Sequence, residues 1–362
     1  MSLIHPYEGP PDKQRLIAAM RGQPTDRVPN FEVLIEDQHV ERLLGRKAGN
    51  TLGVGGDPAK GSEAAEGARP MYPKDYLDLC RILGQDVIVL ENLWTPIRQR
   101  KPDGSIVTWN DRSLKSRADL ERIVWPGECD VQERIGYVRE YLAAASGTDI
   151  GVMFLCGCIF QTLYEFVIGW ADSMVMLVEQ PDLFDELMDR SADYFAALVQ
   201  RAIAEGVDII FLADDFAYNK GLFAEPRQFE RLWRPHFDRI VAPAREARKP
   251  ILFHSDGKID DAVEMLLDMG IDCLNPMDPS GIDYRDYQRR YGHRVSLSGN
   301  IDITWPLVRG TPADVERDVR QHMDVLKPGG RWIAGSSHSI VNYIPHENFV
   351  AMINAIHQYG NY

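Results

Sequence analysis

Several ionisable side chains stand where short apolar runs stop. His254-Ser255-Asp256 closes the run Ile251-Leu252-Phe253, and Asp214-Asp215 follows Asp208 to Leu212. His338 comes after Trp332 to Ala334. Residues two apart at a strand end point to one face, so the imidazole of residue 254 and the carboxylate of residue 256 share a side. Such a group can move a proton near neutral pH or ligate a divalent ion. The competing structural reading is a buried polar pair that orders a loop. Asp214 and Asp215 are adjacent, so one faces the strand-end mouth while the other caps or pairs with a cation. Asn275 and Asn300 are strand-end amides, suited to ligand contact or to loop capping.

The elements that position these residues recur in a steady rhythm. Lys249 to Asp278 reads as one βαβ step: a strand, an amphipathic helix with Ile259, Val263, Leu266 and Leu267, and a second strand ending on Asn275 and Asp278. Further strands are expected at Phe31–Leu34, Asp86–Glu91, Ile150–Leu155, Asp208–Leu212, Val295–Ser298 and Trp332–Ala334. Helices are expected at Asp182–Glu205, Pro226–Arg248 and Pro312–Leu326, the last capped by Thr311. Ile97 to Trp109 reads as a hairpin turning at Asp103-Gly104. Gly45 to Arg69, rich in Gly, Ala and charge, reads as an exposed excursion. Strand, polar strand end and helix repeat about every 40 residues, which fits a single (β/α)8 barrel over residues 1–362. A doubly wound sheet is the rival. In both, ligands bind at the C-terminal strand ends.

Composition narrows the partners. The 362 residues carry 40 Lys and Arg against 54 Asp and Glu, a formal charge of −14. That balance disfavours nucleic acid and anionic membranes, which call for a basic face. The five cysteines include no CxxC pair, which points to a reducing cytoplasm. Cys156 and Cys158 read as small core residues. Met1 to Pro11 has no apolar h-region and no run of 18 apolar residues occurs, so neither a signal peptide nor a membrane span is expected. His39 and His346, with most remaining histidines, read as surface or helix positions without chemistry.

Four stretches resemble the uroporphyrinogen decarboxylase superfamily, in particular its methyltransferase-like branch. They are Asp26-Arg27-Val28-Pro29; Asp214-Asp215-Phe216 with Lys220-Gly221 through Pro226; Phe253-His254-Ser255-Asp256-Gly257; and a C-terminal series. That series runs through Gly299-Asn300-Ile301-Asp302, Gly310-Thr311-Pro312, Pro328-Gly329-Gly330 and His338 to Pro345-His346-Glu347-Asn348. The resemblance covers most of residues 15–360 and implies a TIM barrel. It also implies that Tyr164 and Glu165 lie in a segment used beside substrate, where an ordinary amphipathic helix is the competing reading.

At least two reactions occur in the superfamily. The decarboxylases handle a porphyrinogen with eight carboxylates and carry arginines just after the opening motif. Here Asn30 to Asp37 holds Glu32, Glu36 and Asp37 and no arginine. The methyltransferase branch includes members that hold zinc through His-x-Cys. Here the motif is His254-Ser255-Asp256, with aspartate for cysteine. His254, Asp256, Asp278 and His338 then form an implied two-histidine, two-carboxylate site for zinc or another divalent metal. The expectation is a cytoplasmic enzyme, with a homodimer compatible with the chain. It transfers a methyl group from a small methylated donor to or from a corrinoid carried by a partner protein. His254, Asp256 and His338 bind metal or act as acid and base, and Asp214 or Asp215 orients substrate. A cofactor-free decarboxylase is the alternative, and a non-catalytic binding subunit the second.

Overall fold

The computed structural model describes residues 9–52, 71–92 and 97–362. Seven strands belong to one parallel sheet: β1 Val87–Asn92, β2 Gly151–Gly157, β3 Ile209–Ala213, β4 Ile251–His254, β5 Cys273–Asn275, β6 Ser296–Ser298 and β7 Trp332–Ile333. Their order in the sheet is their order in the chain. The strands of a parallel sheet are covered on both faces, and their sequences become continuous apolar runs. GVMFLCG of β2 and IIFLA of β3 are buried at every position. The strand expected at Phe31–Leu34 forms no extended ladder. It makes isolated parallel bridges, Asn30 with Ala334 and Ile35 with Ile340. The structure therefore shows an α/β fold on a seven-stranded parallel sheet.

The chain divides into two compact units. The first comprises Met1–Glu91, Glu140–Met153 and Ile271–Tyr362, and the second Asn92–Arg139 and Phe154–Gly270. In the second unit, the Pro181–Glu205 helix begins on a proline, where no intrahelical donor is needed, and ends at Gly206 with φ 108°. Leu183, Leu187, Tyr194 and Leu198 line its buried side. It packs against the Arg234–Glu246 helix. The helix expected over 226–248 is present in this unit as consecutive helical segments, Pro226–Gln228, Phe229–Trp233 and Arg234–Glu246, the middle one widened to a π turn. A similar wide turn occupies Leu163–Val167. The expected hairpin is present: Arg98–Arg100 pairs antiparallel with Ile106–Thr108, and Ile123–Val124 adds a third short strand.

In the first unit, the Pro312–Leu326 helix starts with a reciprocal cap. Thr311 Oγ1 accepts from the Asp314 N–H, and Asp314 accepts from the Thr311 N–H at 2.9 Å. This helix packs against His346–Tyr359. From residue 53 onward, the excursion expected at Gly45–Arg69 lies outside the described residues. Among the described residues no helix is long and apolar enough to cross a membrane.

Candidate functional site at the strand ends

Parallel pairing of β3 with β4 sets Ala213 opposite His254 and brings the two polar strand ends together. The Asp214 N–H continues the ladder, donating to His254 O at 3.0 Å. Beyond it the chains diverge and side chains take over. Asp215 Oδ1 accepts from the Asp256 N–H at 2.8 Å. His254 Nε2 lies 3.9 Å from Asp215 Oδ1 and 3.7 Å from Asp256 Oδ1. One ligand atom from each of the three residues falls within 4.8 Å of the others. Their side chains are 16%, 19% and 31% exposed for His254, Asp215 and Asp256. They are therefore shielded but reachable. The turn depends on Gly257, at φ 83°, where a Cβ would stand 2.6 Å from the backbone of Ala217 and Tyr218. Ser255 Oγ accepts from Phe216 N at 3.3 Å and donates to Asp256 O at 3.0 Å, fixing the loop.

Asp214 and Asp215 have separate jobs. Asp214 is fully buried. Its oxygens accept from Phe160 N at 3.0 Å, Gln161 N at 2.8 Å and the Trp233 indole at 2.8 Å. It thus holds the start of the Ile159–Thr162 helical turn. Burial pushes its carboxyl up to about 7, and the Trp233 and backbone donors pull against that rise. Asp215 is the member beside His254. Gln161 accepts from Asp215 N at 3.3 Å and donates to Glu165 Oε2 at 3.3 Å, linking Glu165 to the cluster. The Tyr164 ring lies between Phe160 and Phe223, with centroids 5.4 and 5.6 Å away. Burial raises its phenol well above the ordinary value, reinforced by Asp215 and Glu165.

Asn275, Asp278, Asn300 and His338 belong to the first unit. Asn275 donates to Ser298 Oγ at 3.0 Å. Asn300 donates to Met277 O, while its Oδ1 meets His322 Nε2 at 3.1 Å. Asp278 accepts from Ser280 N and Oγ at 2.8 and 2.9 Å. His338 Nδ1 accepts from Ser339 N at 2.7 Å, which leaves Nε2 as the protonated nitrogen of the neutral ring.

Glu32 differs from the other two acidic residues of the opening segment. It is buried, and its carboxylate accepts from Ser336 N at 3.0 Å. Burial pushes it up to about 8, against the Ser336 hydrogen bonds. It is therefore largely neutral at pH 7 and repels little. Glu36 and Asp37 instead hold Asn342, at 2.5 and 2.8 Å. Gln161, Ser255 and Trp233 also escaped sequence reasoning. Each is an ordinary residue type whose role depends on a contact distant in the chain: Gln161 with Asp215, Ser255 with Phe216, Trp233 with Asp214.

Parallel sheet and strand-end cluster together define an α/β protein with a histidine–carboxylate site at the C-terminal ends of adjacent strands. A family model described as Uroporphyrinogen decarboxylase (URO-D) matches residues 11–359. The chain belongs to the uroporphyrinogen decarboxylase family, a family of enzymes. It is 24% identical to the uroporphyrinogen decarboxylase of Alkalilimnicola ehrlichii, over 95% of this chain and 93% of that one. It is 25% identical to that of Shewanella halifaxensis, over 95% and 96%. Among solved structures it is similar to a methyltransferase from Methanosarcina mazei, with TM-score 0.65, 16% identity and coverage of 96% and 98%. That likeness supports the fold.

Proposed function

We propose that this protein is a divalent-metal methyltransferase built on a (β/α)8-type scaffold of the uroporphyrinogen decarboxylase family. A small methylated compound is the donor and the corrinoid of a partner protein the acceptor. The observation that carries the reading is the cluster of Asp215, His254 and Asp256. One imidazole nitrogen and two carboxylates fit a divalent ion of the zinc, iron or manganese kind. Aspartate in place of a thiolate moves the preference toward harder ions. Tyr164 and Glu165, on the segment next to Gln161, are proposed as substrate contacts.

A bound divalent ion supplies positive charge that stabilises an anionic oxygen or sulfur on the demethylated product. The chain's own residues do the rest. The Asp256 N–H and the Gln161 side chain hold Asp215 in place beside His254. Asp214 stays out of the chemistry and anchors the turn that carries Gln161, Tyr164 and Glu165.

Metal analysis of the purified protein, followed by methyl-transfer assays with a corrinoid acceptor, tests this. Stoichiometric zinc, iron or manganese, lost in His254→Ala, supports it. A metal-free protein that turns over uroporphyrinogen rejects it. That outcome favours the decarboxylase reading, which the names of the curated relatives support.

A further inference from the structure

The Asp37–Leu44 helix and the segment Asn342–Glu347 line a cavity of about 220 Å³ within the first unit. Gln38, Arg42, Tyr343, His346 and Glu347 face it, with His39 at its buried wall. Asn342 fixes the two walls to each other. Its N–H donates to Glu36, its amide donates to Asp37, and its Oδ1 accepts from Gln38 N at 3.1 Å.

Counting protons fixes the histidines. A carbonyl only accepts, so His39 Nε2, 3.0 Å from Val341 O, carries a hydrogen and donates it. Burial, with His346 and Arg42 nearby, pushes the His39 imidazole down to about 4, while the Val341 bond and Asp37 oppose the shift. Neutral His39 therefore offers a lone pair at Nδ1. His346 Nδ1, 3.1 Å away, must donate to it. His346 is also lowered, first by burial and then by Arg42, with Glu347 opposing. Its remaining nitrogen, Nε2, is left as an acceptor, on a residue that lines the cavity. Arg42 adds a guanidinium at the last turn of the same helix. A fixed cation and a base backed by a second imidazole suit an anion that arrives with a proton.

We propose that this cavity is a binding site for a small oxyanion taken up together with one proton. The negative oxygens sit against Arg42 and the Gln38 amide. The proton lies between the anion and His346 Nε2, brought by a phosphate hydroxyl or gained by the imidazole when a carboxylate binds. The resulting imidazolium keeps its Nδ1–H on His39, where the bond becomes charge-assisted. No covalent step is involved, and the site is independent of the strand-end cluster.

Calorimetric titration of the full chain with sodium acetate and, separately, sodium phosphate tests this against sodium chloride at equal ionic strength. Acetate affinity is expected to fall about tenfold per pH unit once the pH exceeds the free His346 value, since the proton must then be taken from water. Phosphate, which carries its own proton near pH 7, keeps its affinity further up the scale. Arg42→Gln is expected to weaken both by about tenfold or more. Nitrogen-15 NMR of histidine-labelled protein gives an independent readout. Free His346 shows the Nδ1–H tautomer and His39 the Nε2–H tautomer, and acetate converts His346 to imidazolium. Binding of neither anion above chloride, acetate affinity flat with pH, or an Arg42→Gln variant that binds like the wild type each overturns the proposal.

Discussion

The Trp233 indole donates to Asp214 Oδ2 at 2.8 Å, although 19 residues separate them. The wide helical turn at Phe229–Trp233 makes this contact within the second unit, and the carboxyl it meets has no exposed surface. Trp233→Phe keeps most of the ring and removes the donor. A buried acceptor that loses a partner costs about 1–3 kcal/mol. Urea denaturation should show a loss of that size. An unchanged midpoint would mean that the backbone donors alone suffice.

Gln161 should act through Asp215 rather than on the ion. Gln161→Ala is expected to lower metal affinity by about 10–100-fold, as removal of outer-shell partners does. Competition with a chromogenic chelator measures it. Equal affinity in variant and wild type would remove Gln161 from the site's support.

Buried carboxyls should make the protein lose stability as pH rises. Glu32 is pushed up to about 8, and Asp86 and Asp214 to about 7. Each folded-state value lies above the unfolded one, so the folded state binds more protons in between. Its stabilising protonated form is fully present below the unfolded value and is lost as pH climbs toward the folded one. In that window each group contributes a slope of up to about −1.4 kcal/mol per pH unit. Glu32→Gln should flatten the slope between about pH 5 and about pH 8. Denaturation midpoints across that range decide, and a slope identical to wild type would remove Glu32 as its source.

Gly257→Ala should disorder the cluster. Its positive φ costs about 1–3 kcal/mol in an L-residue, and the new Cβ also meets backbone at 2.6 Å. Loss of metal affinity beyond the loss of stability is the expected signature. A variant that binds metal normally would show that the loop bends elsewhere.

Much of this was readable in one dimension. Apolar runs such as IIFLA and ILFH give away buried parallel strands, because alternation disappears when both faces are covered. Their polar ends mark where His254, Asp256 and Asp215 emerge, since period-two geometry fixes which side chains share a face. Thr311 betrayed its helix because capping is local chemistry. The division of labour between Asp214 and Asp215 was not readable. It depends on Trp233 and on the Phe160 and Gln161 amides, which only the tertiary fold brings near. The same holds for Glu32, whose proton is set by burial against Ser336, and for His39 and His346. Those two histidines are 307 positions apart and share a hydrogen bond. Composition and spacing determine which elements form. Desolvation and long-range contacts decide what each ionisable group in them does.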